Sequence, residues 1–261
     1  MMRSEPIRVV QITDTHLLAD AAGRVGGVDS FAALERLLPL VRGDGWTPDA
    51  IVATGDISDD GTPASYRRFR DLMVPLGIPV YCIPGNHDDM DTMQDHLPGG
   101  PIQLRRSLDT GAWLLLFLDS HVPGKAYGSV ARDDLDALGA LLRDLPQRHV
   151  LLCMHHTPLP ICAMPDCRLE NAEQLMNLLA QHSCARAVIA GHVHCAADER
   201  HAGVDMLVTP STCVQVEHPA GPDLLPQRPF LEVHRLDASR GGLRRLELHP
   251  DGRVVTEVIW G

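Results

Sequence analysis

Short apolar runs rich in β-branched residues alternate along the chain with stretches where apolar positions return every third or fourth residue. The runs Arg8–Ile12, Ala50–Ala53, Val80–Ile83, Leu114–Leu118, Val150–Met154, Ala187–Ala190 and Met206–Val208 read as strands. The stretches Ser30–Val41, Ala64–Leu76, Arg132–Leu145 and Glu170–Gln181 read as helices. In the first helix Phe31, Leu34, Leu37, Leu38 and Val41 fall on one buried face. Ser30 is expected to cap it, because its hydroxyl can accept from a backbone N–H that lacks a helical partner. Strands alternating with helices predict βαβ units and an α/β class with largely parallel pairing. After residue 200 strand follows strand: Met206–Val208, Phe230–Val233, Leu243–Leu248 and Val254–Ile259. Asp251-Gly252 is a hairpin signal between the last two. This tail is expected to add antiparallel strands to a second sheet. The proline-rich stretch His218–Pro229 reads as a long surface connection, with a flap over a site as the alternative.

The residues that follow the apolar runs change the picture from fold to chemistry. Successive runs end in Asp14-Thr15-His16, Gly55-Asp56, Gly85-Asn86-His87-Asp88, His155-His156 and Gly191-His192-Val193-His194. In a parallel sheet these ends share one carboxyl edge, which is where open α/β sheets bind ligands. Gly55, Gly85 and Gly191 suit sharp turns out of the sheet. Taken singly, an Asp after a strand is usually a cap or turn residue, and a loop His is usually solvated. That account gives no reason for all these ends to share one edge.

Asp14, His16, Asp56, Asn86, His155, His192 and His194 offer more donors than one ion takes, and suit two ions sharing a bridge. Asp56 is the natural bridge, one carboxylate oxygen serving each ion. In Asp-x-His and His-x-His the two side chains of an extended segment point the same way. Mixed carboxylate, imidazole and amide donors suit Mn, Fe or Zn better than Mg or Ca. Two such ions about 3.5–4 Å apart activate a water and clamp the oxygens of a phosphoryl displacement, so the residues point to phosphoester hydrolysis. Spacing alone leaves open whether His155 or His156 is the ligand.

Composition narrows the setting. A chain of 261 residues with 44% hydrophobic content can bury a core without disulfides, and a single domain over residues 1–261 is expected. The 7 cysteines form no CxxC pair, so free thiols in a reducing compartment are the expectation. No 18-residue apolar run and no signal-peptide pattern are present, which predicts a soluble cytoplasmic protein without membrane contact. The net charge of −11 argues against polymeric nucleic acid as partner, while metal ions could still draw a small phosphate.

Asp14-x-His16, Gly55-Asp56, Gly85-Asn86-His87-Asp88, His155 and Gly191-His192-x-His194 resemble, in order, the signature blocks of the calcineurin-like metallophosphoesterases. Gln11–Leu17, Ile51–Asp56, Asn171-Ala172-Glu173, Thr209–Gln215 and Leu246–Gly252 are similar to the class III 3′,5′-cyclic-AMP phosphodiesterases of bacteria. The resemblance implies the metallophosphoesterase fold, two facing mixed β-sheets flanked by helices in an α/β/β/α sandwich. It implies that Asp14, His16, Asp56 and His194 hold one metal, and that Asp56, Asn86, His155 and His192 hold the other. The ions would be Fe, Mn or both. His87 would sit beside the phosphate and steady its charge or protonate the leaving oxygen, and Asp88 would orient His87 or fix the loop. His16, Asp56, Asn86, His87 and His194 would also face the substrate. The implied reaction is hydrolysis of 3′,5′-cyclic AMP to 5′-AMP by metal-bound hydroxide, in a monomer or homodimer. A broader phosphodiesterase acting on 2′,3′-cyclic nucleotides or glycerophosphodiesters is the alternative, and a non-catalytic scaffold would be expected to show eroded ligands. The Cys162–Asn171 loop and Ser211–Gln215 are candidate walls for the base.

Overall fold

Consecutive apolar residues such as Val9-Val10 and Ile51-Val52 send side chains to both faces of a strand, so such strands must be covered on both sides. The computed structural model describes residues 5–43, 45–145, 147–162, 167–218 and 235–261, and it meets this demand with four layers. In chain order the elements are β1 (Ile7–Ile12), α1 (Ser30–Val41), β2 (Ala50–Thr54), α2 (Pro63–Met73), β3 (Val80–Ile83), α3 (Met90–His96), β4 (Ile102–Gln103), β5 (Ser107–Asp109) and β6 (Trp113–Phe117). There follow α4 (Arg132–Arg143), β7 (His149–Cys153), α5 (Ala172–Ala180), β8 (Ala185–Ala190), β9 (Ala197–His201) and β10 (Val204–Val208). The last are β11 (Gln215–Glu217), β12 (Arg235–Asp237), β13 (Gly242–Leu248) and β14 (Val254–Trp260).

One six-stranded sheet has the order β14-β13-β1-β2-β3-β4 and the other β5-β6-β7-β8-β10-β9, while β11 and β12 form a ribbon. Both sheets are mixed: β1, β2, β3 and β4 pair in parallel, as do β6, β7, β8 and β10, with β13 and β14 antiparallel at one end of the first sheet and β5 and β9 antiparallel at the two edges of the second. Between the sheets Val9, Val52, Trp113, Leu151, Ile189 and Leu246 make one apolar layer. The outer face of the first sheet, with Val10, Ile51 and Val80, packs on Leu34 and Leu37 of α1 and Phe69 of α2. The outer face of the second, with Leu116, Leu152 and Val188, packs on Leu138 of α4 and Leu175 of α5.

The α/β class and the two helix-flanked sheets agree with the sequence reading, and several details differ, among them the unpredicted short strands β4, β5, β9, β11 and β12. The cap of α1 is Asp29, whose carboxylate accepts from the Ala32 N–H at 3.0 Å, and Ser30 is already the first helical residue. The C-terminal hairpin β13–β14 does not build a second sheet. It pairs antiparallel with β1 and extends the first one, because Leu243 and Leu246 complete apolar layers on the two faces of that sheet. Helix α3 was not anticipated, since at 7 residues it is too short to show periodicity. The predicted strand Phe230–Val233 and most of the His218–Pro229 connection lie outside the described residues. Among the described residues no helix is long and apolar enough to cross a membrane.

A polar rung crosses the gap between the sheets near its carboxyl end. Gln11 of β1 donates to Thr54 Oγ1 at 2.9 Å and to the Ala190 carbonyl at 3.1 Å, and accepts from Thr209. The buried Arg244 of β13 donates to Thr209 Oγ1 at 3.0 Å, to the Val208 carbonyl at 2.9 Å and to the Asp198 carboxylate. Each polar group in this rung has a partner, so the two sheets are pinned in register where their strands end.

Candidate metal centre

The loops after β1, β2 and β3 come from one sheet and those after β7 and β8 from the other. The five ends therefore do not share a single sheet edge as the sequence suggested. They meet across the gap between two sheets, which gives the site two opposed walls. Asp14, His16, Asp56, His192 and His194 all have positive φ, from 46° to 71°. Such conformations cost about 1–3 kcal/mol each for residues with a Cβ and persist only where the surroundings enforce them. Here the loops lock one another: Asp14 N–H donates to the Gly55 carbonyl at 3.0 Å, His16 N–H to the Asp56 carbonyl at 2.9 Å, and Gly191 N–H to the His155 carbonyl at 2.9 Å. Of the three glycines, only Gly55 uses a positive φ. A Cβ on Gly85 would run into Asp56, and one on Gly191 into Thr13 and Asp14, so these two permit close approach.

The donors converge. One oxygen or ring nitrogen from each of Asp14, His16 and His194 lies within 4.8 Å of the others, and so do those of Asp14, Asp56 and His155. Asp56 Oδ1 accepts from the His87 N–H at 2.8 Å, while Oδ2 faces His16 Nε2 at 3.6 Å and His155 Nε2 at 3.4 Å. A backbone N–H thus engages Oδ1, and Oδ2 faces both groups of donors.

Hydrogen bonds fix the ring tautomers. His155 Nδ1–H donates to the Thr54 carbonyl at 2.8 Å, His194 Nδ1–H to the Val214 carbonyl at 2.8 Å, and His16 Nδ1–H to Asp59 Oδ1 at 2.8 Å. Every Nε2 then presents a lone pair inward. His16 Nε2 and His194 Nε2 stand 3.1 Å apart, and His155 Nε2 is 3.1 Å from Asn86 Oδ1. Acceptors facing acceptors at this range repel unless a proton or a metal ion lies among them, and the raised His155 and His194 show protons taking that place in the metal-free chain. The donor set therefore fits metal ions, with Asp59 and the two carbonyls orienting the rings from behind.

The electrostatics agree. Burial would raise the Asp14 and Asp56 carboxyls, yet the neighbouring imidazoles, His194 for Asp14 and His155 for Asp56, hold both well below the ordinary range. Burial would lower His155, but Asp56 and Asp14 push it up to about 9. His194 is raised in the same way by Asp14 and Asp56 against its burial. Burial and the charge of His155 push His192 down to about 3.

Donor atoms of His155, His156 and His192 also lie within 4.8 Å of one another, but His155 and His156 differ in their partners. Both nitrogens of His156 are engaged outside the cluster, Nδ1 with Ser120 Oγ at 2.9 Å and Nε2 with the Ala126 carbonyl at 3.1 Å. The rings of His155, His156 and His192 form a triangle, with centroids 4.8 Å apart for His155 and His156, 5.0 Å for His155 and His192, and 4.4 Å for His156 and His192. His87 lies beside the cluster, its ring 4.8 Å from that of His16 and Nδ1 held by Asp59. Asp88 clamps the loops. Its buried carboxylate accepts from the N–H groups of Ile57, Ser58 and Gly85 and from the Tyr66 hydroxyl, which ties the β2 and β3 loops together. Asp59 escaped the sequence reading. The signal was the acidic run Asp56-Ile57-Ser58-Asp59-Asp60, whose turn at Asp56 folds residue 59 back over His16.

A pocket of about 300 Å³ opens over the cluster and is lined on its polar side by His16, Asp56, Asn86, His87, His192 and His194. A larger cavity of about 640 Å³ lies between α3 and α4, walled by Met93, Leu116 and Leu138 among others, and is lined by none of the seven donors.

The calcineurin-like phosphoesterase family profile matches residues 7–196. The chain is 35% identical over 254 residues to the 3′,5′-cyclic adenosine monophosphate phosphodiesterase CpdA of Pseudomonas aeruginosa, covering 97% of this chain and 89% of that protein. It is 36% identical over 255 residues to the CpdA of Escherichia coli K12, with the same coverage of 97% and 89%. Among solved structures, a dimetal phosphatase from Danio rerio superposes with a TM-score of 0.63 at 15% identity, over 98% of this chain and 99% of that one.

Proposed function

The chain belongs to the calcineurin-like phosphoesterase family, and from that premise we propose that it is a dimetal phosphodiesterase hydrolysing 3′,5′-cyclic AMP to 5′-AMP. The observation that carries the reading is the set of inward-facing Nε2 and carboxylate lone pairs around Asp56 Oδ2. Asp14, His16, Asp56 and His194 would hold one ion, and Asp56, Asn86, His155 and His192 the other. Iron and manganese suit this donor set. When bound, the ions supply Lewis acidity that draws the phosphate and makes water a nucleophile near neutral pH.

The remaining steps fall to side chains. Asp59 holds His16 and His87 together, with its Oδ1 2.8 Å from His16 Nδ1 and 3.4 Å from His87 Nδ1. With Nδ1 of His87 so occupied, Nε2 is the nitrogen left to carry a proton to the departing ribose 3′-oxygen, a role suited to imidazole near neutral pH. Asp88 keeps His87 in place through the backbone it clamps. The pocket volume of about 300 Å³ sits at the lower end of ligand sites and suits a mononucleotide better than a polymer. The net charge of −11 favours the same choice. The cytoplasm is the proposed setting, since an odd set of 7 cysteines without a CxxC pair suits a reducing compartment.

The test is turnover after metal removal and reconstitution with Mn or Fe, comparing 3′,5′-cAMP, 2′,3′-cAMP and an aryl phosphodiester, with Asn86→Ala as control. The reading expects 5′-AMP from 3′,5′-cAMP with the highest kcat/KM and a dead variant. A tenfold preference for either other substrate would replace the proposed substrate and keep the metal centre.

A further inference from the structure

The pocket over the centre has a second wall unlike the first, formed by Val25, Gly26, Val214, Val216 and Leu236. Local structure explains how it is built. Val25 and Val28 exchange backbone hydrogen bonds at 3.0 and 2.9 Å around Gly26-Gly27, whose φ values of 55° and 85° make a tight left-handed turn. Val28 anchors that turn in a small core with Ala33, Cys213 and Val214. Opposite it, Val216 of β11 pairs with Leu236 of β12. The wall is fastened to the centre itself, because His194 donates from Nδ1 to the Val214 carbonyl at 2.8 Å and accepts from the Val216 N–H at 2.9 Å.

We infer that this wall seats the purine ring of the bound nucleotide, an inference that rests on the cyclic-nucleotide reading above. With the phosphate among His16, Asp56 and His194, the nucleoside has to extend along the rest of the same pocket. Apolar faces suit the flat faces of a heteroaromatic ring, and Leu236 leaves 38% of its surface open to receive one. Gly26 is the residue that lets the turn pack directly on this wall, at a φ of 55° that side chains rarely adopt. A Cβ there would stand 3.3 Å from Val214 Cγ2 and 3.3 Å from Leu236 Cδ1, so any side chain would push Val214 and Leu236 out of the wall's present shape. Of the walls expected from sequence, Ser211–Gln215 contributes Val214 to the pocket lining and the Cys162–Asn171 loop contributes Cys167, among the described residues.

The test uses the metal-loaded full chain and two variants, Gly26→Val, which displaces Val214 and Leu236, and Leu236→Ala, which trims the wall at a position 38% exposed and leaves the turn untouched. Two quantities are read: the ratio of kcat/KM for cAMP to that for methyl 4-nitrophenyl phosphate, and the inhibition constant of adenosine against the latter. Both variants are expected to lower the ratio roughly tenfold, through KM for cAMP, and to weaken adenosine by a similar factor. If cAMP is hydrolysed but ratio and inhibition constant stay as in the wild type, the wall is not the purine seat and the proposed function stands. If the wild type hydrolyses the aryl diester and not cAMP, the proposed function fails. The adenosine constants then decide the seat alone, unchanged values overturning it.

Discussion

Val52, Leu151 and Ile189 meet between the sheets and complete one another, while a few residues further along the same strands Asp56, His155 and His192 crowd charges and lone pairs together. The interlayer keeps its strands extended and every contact is internal. The carboxyl edge bends into left-handed turns at five side-chain-bearing positions and leaves acceptors facing acceptors. One region is finished by the chain itself and the other calls for cations. Each strand thus spends its middle on stability and its end on chemistry.

The largest effect that would break this contrast is expected at the bridge. Asp56→Asn removes the carboxylate that both groups share and should lower turnover by at least about 10²–10³-fold. The metal-free variant should melt below metal-free wild type near neutral pH, because the carboxylate that pairs with protonated His155 is lost with the chemistry; kinetics and a thermal melt check both halves. Leu151→Ala is the counterpart in the interlayer. It should cost about 2–5 kcal/mol of stability in denaturant unfolding, while the folded fraction still binds metal.

A smaller effect sharpens the comparison through pH. In the metal-free chain Asp56 and Asp14 hold His155 at about 9 against its burial, above the 6.5 of an unfolded histidine. A raised folded pKa contributes stability that is full below 6.5 and lost as pH rises through 9. The metal-free chain should therefore be less stable at the alkaline end of that window, by up to about 3 kcal/mol. The loaded chain should lack this loss, because a metal takes the ring deprotonated. Denaturant midpoints across the window, with and without Mn, read the difference. Smallest is Asp59→Asn, which weakens the support behind His16 and should reduce metal affinity about 10–100-fold without emptying the site. Competition with a chelator measures it.

What the sequence disclosed and what it hid follow the same division. Asp14-x-His16, Gly55-Asp56 and Gly191-His192-x-His194 were legible because each block is local, a strand and the turn that ends it. Helix α1 was found with its bounds because its apolar stripe is local too. The partition of strands between sheets was not, since β13 joins β1 across more than two hundred residues and no window contains both. Asp59 stayed hidden because its approach to His16 depends on the φ of 48° at Asp56, which no periodicity announces. The separation of His155 from His156 likewise needed Ser120 and Ala126, which come from another loop.

The most direct test is calorimetric titration of the chelator-stripped chain with Mn at neutral pH, followed by a thermal melt of the product. Two ions bound per chain, with a raised Tm and with Asp56→Asn failing to hold the pair, is the result predicted here. No binding, or a single ion that leaves Tm unchanged, would contradict the claim that the carboxyl edge is completed by cations.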